Sequence, residues 1–172
     1  MTAVDLLKEF ESLVAAEKAE ATRLANSRFH SIIAERAASR TALSGATIHQ
    51  LAKVASEEVE RFGDTIIKLA EQFAAQLKLD SSSTLEVVRR ASAQLPLSLI
   101  ELEVIKNLEE KMGKPSVKLN MLRLMDPSRE RLKSKLSKLQ LGIRDLGGAP
   151  VQNFYNHVSA GTIQAGSLQV GQ

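Results

Sequence analysis

Three histidines, His30, His49 and His157, and the carboxylates Glu57, Glu58, Glu60 and Asp64 are the groups in this chain best suited to proton transfer or metal binding. Either chemistry needs such groups to converge, and their spacing opposes it. A di-iron bundle site places a Glu three residues before a His on one helix face, whereas Ser27 and Ala46 stand three residues before His30 and His49. The His-Glu-x-x-His pair, the phosphate loop ending in Gly-Lys-Ser/Thr and the Gly-x-Ser-x-Gly nucleophile turn are missing from the sequence. With no Cys there is no thiolate ligand and no disulfide. The chain is therefore expected not to be an enzyme, with no catalytic residue and no cofactor or metal site. Its carboxylates are expected to line solvated helix faces.

A second chemistry is hydrogen bonding between identical copies. Gly147 to Gln172 contain no Asp, Glu, Lys or Arg, although 25% of the chain is charged. Within this stretch a five-residue pattern recurs: Gly161-Thr162-Ile163-Gln164-Ala165, then Gly166-Ser167-Leu168-Gln169-Val170, then Gly171-Gln172. Uncharged, proline-free segments bearing Gln suit cross-β stacking, because side-chain amides hydrogen-bond in ladders along the stack. An odd period would put the two copies on opposite faces of a single strand. A bend at Gly166 restores them to one face, so the pattern predicts strand, bend, strand.

A basic block is the third feature. Nine Lys and Arg against Asp126 and Glu130 give the stretch from Lys114 to Arg144 a charge of +7, within a chain of net charge +3. It suits phosphate or an anionic lipid headgroup, or else a solvated helix face beside an acidic neighbour. No aromatic residues interleave with these cations, so bases have no stacking platform and specific nucleic-acid binding is not expected.

The elements that carry these groups read as helices. Residues 3–43 hold almost no breaker and place Leu6, Leu7, Phe10, Leu13 and Val14 on one stripe, with close packing expected at Ala19, Ala21 and Ala25. Ser44-Gly45 breaks the run, and Thr47 with Gln50 has the form of a capping box. In the next helix Ile48, Ala52, Ala55, Val59, Phe62, Ile66, Leu69 and Phe73 advance by alternating fours and threes, a coiled-coil seam that Leu51, Ile67, Ala70 and Leu77 widen to bundle width. Val59, Phe62, Ile66, Leu69 and Phe73 are the candidate partner-helix seam. Ser83 with Glu86 predicts a third helix ended by Pro96. Ser98 with Glu101, stapled by Leu97 and Leu102, predicts a fourth that stops at Gly113. Residues 114–125 fit a strand or a helix, and Asp126-Pro127 predicts the opening of a last helix. The apolar seam of that helix is Leu132, Leu136, Leu139, Ile143 and Leu146.

The expected fold is thus all-α: a bundle of four or five helices over residues 1–146 with a long antiparallel helical hairpin. A hinge at 147–150 and a β-prone uncharged tail at 151–172 follow. Met1 to Phe10 carry Asp5, Lys8 and Glu9, so no apolar leader is read there, and a cytoplasmic location is expected.

Leu168-Gln169-Val170-Gly171, and less closely Ile163-Gln164-Ala165-Gly166, resemble the apolar-Gln-apolar-Gly core of the homotypic interaction motif of necroptosis kinases and adaptors. Asn156 to Gln172, about a tenth of the chain, is similar to the C-terminal amyloid signalling motifs of bacterial and fungal immune proteins. The resemblance implies a self-associating tail, with Ile163, Gln164, Gly166, Leu168, Gln169, Val170 and Gly171 as contact residues. It also implies a helical effector or adaptor body recruited by a sensor's motif. In those families the body often damages membranes when clustered and begins with an apolar helix. Here Asp5, Lys8, Glu9 and Glu11 interrupt that helix. Membrane association is expected only after assembly, through the basic last helix. The alternative expectation is a structural or regulatory helical subunit that binds a protein partner through the seam of the second helix, with the tail incidental.

Overall fold

Thr2 opens the first helix with the reciprocal pair that satisfies two orphan amide groups. Its hydroxyl accepts from the Asp5 amide at 3.2 Å, and the Asp5 carboxylate accepts from the Thr2 amide at 2.9 Å. The Thr2 hydroxyl and amide together hold the Asp5 carboxyl below its ordinary pKa. The computed structural model describes residues 2–77, 81–113 and 116–145. These form α1 (Ala3–Ala38), α2 (Gly45–Leu77), α3 (Ser81–Ile100), α4 (Glu103–Met112) and α5 (Ser116–Asp145), with no strand among the described residues. The described residues form an all-helical bundle of five helices. The hinge and the β-prone tail lie outside the described residues.

Helix α1 stops at Ala38, five residues before the expected end. Arg40 takes a left-handed φ of 56°, and the amides of Arg40 and Thr41 turn back to the carbonyls of Ala37 and Arg36 at 3.0 and 2.8 Å. This is the reversal that glycine usually supplies. Ser44, not Thr47, caps α2: its hydroxyl accepts from the Thr47 amide at 3.3 Å. The Thr47 hydroxyl donates to the Thr41 carbonyl at 2.8 Å, and Gln50 accepts from Arg36 instead of closing a box. Across the hairpin Arg36 meets Gln50, Arg28 meets Glu58, Glu17 meets Arg61, and the Phe10 and Phe73 rings lie 5.0 Å apart. Residue numbers rise on one helix as they fall on the other, so α1 and α2 are antiparallel.

Both expected proline boundaries are overturned. Pro96 lies inside α3 and Pro127 inside α5. An interior proline costs a helix about 3 kcal/mol, but a buried stripe runs unbroken past each of them, Pro96 being itself buried and Pro127 exposed. In α3 the stripe is Leu85, Val88, Ser92, Leu95 and Leu99; in α5 it is Val117, Met121, Met125, Ser128, Leu132, Leu136 and Leu139. Packing on both sides of the proline holds the axis, so residues 116–125 are helical and continuous with the last helix. For the same reason Ser98–Glu101 is not a helix start. The Glu101 amide still bonds the Leu97 carbonyl at 2.9 Å, and α4 begins after Leu102, which offers no side-chain cap. Ser83 is likewise two residues inside α3, which starts at Ser81. Gly113 ends α4 as expected, with φ of 61°.

Helix α2 is the centre of the packing, touching α1, α3 and α5. Glu60 pairs with Arg131 and Asp64 with Lys135, so α5 runs parallel to α2. Arg89 bonds Gln140 while Pro96 shares a groove with Arg129, so α3 runs antiparallel to α5. The short α4 makes the connection between them and packs on α5 and α1. Ala21 and Ala25 are fully buried in α1, while Ala19 is exposed.

Candidate functional site

The residues of the expected partner seam are placed inside the chain's own core. Val59, Phe62 and Ile66 are fully buried, Phe73 is 1% exposed, and Leu69 is half-buried. Their periodicity serves contact with α1, α3 and α5, and an outside helix reaches them only when the bundle opens. The tail residues Ile163, Gln164, Gly166, Leu168, Gln169, Val170 and Gly171 lie outside the described residues. His30 and His49 are exposed on different helices. Among the described residues no group of three or more His, Asp or Glu is placed to hold a metal ion. No helix among them is long and apolar enough to cross a membrane.

The basic block and the carboxylates of α2 meet each other. Arg131 donates to Glu60 and also to the Ser128 hydroxyl at 2.9 Å, and Lys135 donates to Asp64. The Arg131 guanidinium, helped by the Ser128 hydroxyl, holds the Glu60 carboxyl below its ordinary pKa. Arg129 pairs with Asp126 at 2.9 Å, Lys133 with Glu130 at 2.5 Å and Lys118 with Glu109 at 3.8 Å. On the opposite side of α2, Glu58 is only 4% exposed and accepts from Arg28 at 3.2 Å and Arg61 at 2.8 Å. A buried carboxylate is tolerated when its charge is paired and hydrogen-bonded. Glu57 takes a second Arg28 nitrogen at 2.5 Å, and this contact raises the Arg28 pKa. Glu57, Glu58, Glu60 and Asp64 therefore act as helix-to-helix fasteners. Exposed pairs of this kind contribute about 0–1 kcal/mol each and set register more than stability.

One site has no counterpart in the sequence reading. Helices α3 and α5 part to leave a groove of about 430 Å³ lined by Arg89, Ser92, Ala93, Pro96, Arg129, Leu132, Lys133, Leu136 and Ser137. Ligand clefts commonly occupy about 300–1,000 Å³. With the third helix expected to end at Pro96 and the last to open at Asp126, the two walls could not be aligned from sequence. A polar Ser92 interrupting the stripe Val88, Leu95, Leu99 was the available signal.

Comparison with protein-family models gives no match to the chain, and comparison with curated proteins and with solved structures gives no significant one. The class is set by architecture alone: a five-helix bundle followed by an uncharged, repeat-bearing segment.

Proposed function

We propose that the chain is a non-enzymatic assembly or signalling protein, recruited through the repeats in its C-terminal segment, with the helical bundle as the recruited effector or adaptor part. The observation that carries this reading is the tandem apolar-Gln-apolar-Gly repeat in a stretch without a single charge. It follows a body whose apolar stripes are already covered by one another. Stacked in register, each Gln would hydrogen-bond to its own copy above and below, at a spacing of about 4.7–4.8 Å. The partner is a second copy of this chain or a protein ending in a matching repeat, in the manner of the immune and cell-death motifs that the tail resembles. Clustering would bring many basic α5 faces together. Arg123 and Lys138, which have no ion pair among the described residues, would then add to the attraction for an anionic membrane surface. A cytoplasmic protein that becomes membrane-associated on assembly fits this scheme. The regulatory-subunit reading requires α2 to leave its own core.

A peptide of residues 150–172 is expected to form thioflavin-positive fibrils with cross-β diffraction. In the full chain, Gln169→Lys or Val170→Asp should abolish clustering while the helical circular dichroism persists, and a chain ending at residue 146 should stay helical and unclustered. A peptide that remains monomeric even when seeded with assembled full-length protein would refute the proposal.

A further inference from the structure

The groove between α3 and α5 combines three properties that exposed helix faces rarely share. Its walls are apolar, formed by Ala93, Pro96, Leu132 and Leu136. Three cations, Arg89, Arg129 and Lys133, stand along it. Ser92, 6% exposed, contributes a buried hydroxyl with no hydrogen-bond partner. An unsatisfied buried hydroxyl is costly and uncommon in native structures. The same residue's carbonyl also loses its ordinary helical donor, because Pro96, four residues on within α3, has no N–H.

The charges are unequal in their commitments. Arg129 and Lys133 have acidic partners one turn away in their own helix. Arg89 donates to the neutral amide oxygen of Gln140, and no described carboxylate pairs with it. Arg89 thus brings a net positive charge to a groove whose hydroxyl is free to donate.

We infer that this groove binds an anionic amphiphile, a carboxylate or phosphate monoester on a short apolar chain. Arg89 and the Ser92 hydroxyl take the anionic head, and Pro96, Leu132 and Leu136 take the chain. Arg129 and Lys133 exchange their exposed intrahelical partners for the ligand at little cost. Such a molecule reaches the groove either free in solution or out of a lipid surface, and both sources share this head and tail chemistry.

The test is calorimetric titration of the full-length protein with decyl phosphate below its micelle concentration. Inorganic phosphate, decanol and vesicles of phosphatidylcholine with or without phosphatidylglycerol provide the comparisons. The expected result is saturable one-to-one binding of decyl phosphate, with phosphate and decanol each weaker by about tenfold or more. Arg89→Gln and Ser92→Ala should each weaken decyl phosphate by about tenfold, the scale of one hydrogen bond to a charged group. Ala93→Phe should block the groove, and Arg90→Gln, one residue away and outside the lining, should change nothing. Vesicle binding that needs phosphatidylglycerol and falls with the same variants identifies a lipid source, whereas decyl phosphate binding without it identifies a free one. Three results overturn the inference: no decyl phosphate binding up to about 1 mM, equal affinity for decanol or for inorganic phosphate, or Arg89→Gln and Ser92→Ala that both bind like the parent.

Discussion

A methyl group added at Gly63 would lie 2.4 Å from Leu132 Cδ1, with Leu132 Cγ and Cδ2 at 3.5 and 3.6 Å. Carbon atoms in contact settle at about 3.5–4.0 Å, so the δ-methyl would have to retreat by more than an ångström. Leu132 is only 6% exposed, but it lines the groove between α3 and α5, so its δ-methyl can turn toward that space. Against the clash, Ala is worth about 1 kcal/mol more than Gly in a helix interior. Overpacking costs about 1–3 kcal/mol, the lower end applying where the side chain can turn aside, which leaves Gly63→Ala destabilising by about 0–2 kcal/mol. Leu132→Ala alone should cost about 2–5 kcal/mol through the lost side chain and its cavity. In the double variant the clash is gone, the helix gain is kept and the new methyl fills part of the void. Its loss should fall short of the sum of the single losses by about 1–3 kcal/mol. Urea unfolding followed by far-ultraviolet circular dichroism measures all four corners of the cycle. Additive losses, within about 0.5 kcal/mol, or a Gly63→Ala stabilised by the full helix increment, would refute the close approach of α2 and α5.

Phe62→Ala, at a fully buried position of α2, should destabilise by about 3–5 kcal/mol; a variant melting like its parent would mean that the seam is not the chain's own core and would favour a partner there. Glu60→Gln tests the α2–α5 fastener through pH. The carboxyl is held below its ordinary value of 4.5 by Arg131 and Ser128, so its contribution is complete above that value and fades as pH falls through the lowered pKa. Glu60 is 39% exposed, which keeps the effect below about 1 kcal/mol. The parent should lose stability more steeply than Glu60→Gln between about pH 5 and pH 3, and parallel acid limbs would contradict the pairing.

The sequence carried the helical character of the body because that is a property of spacing. Ile48 to Phe73 repeat at helical intervals, and any compact state must bury that stripe. Gly113 was legible for a similar reason, since its left-handed φ is a local demand that glycine meets without a Cβ penalty. The tail's repeat and lack of charge are sequence properties too, and the proposal of homotypic assembly rests on them. Local rules failed where tertiary contact outweighed them. By local rules Pro96 should end a helix and Pro127 should open one, yet Leu95 and Leu99 in α3 and Met125 and Leu132 in α5 bury enough surface to carry each axis through. Arg40 takes a glycine's place at the end of α1, and only the bonds from Arg40 and Thr41 to the helix disclose it. Which acids the basic block meets, and that the α2 seam is filled from within, depend on how helices far apart in sequence are brought together. The groove is the clearest case: Arg89 and Ser92 lie about forty residues from Arg129 and Lys133 along the chain. No local pattern joins them, because their proximity comes from two helices crossing the same core in opposite directions.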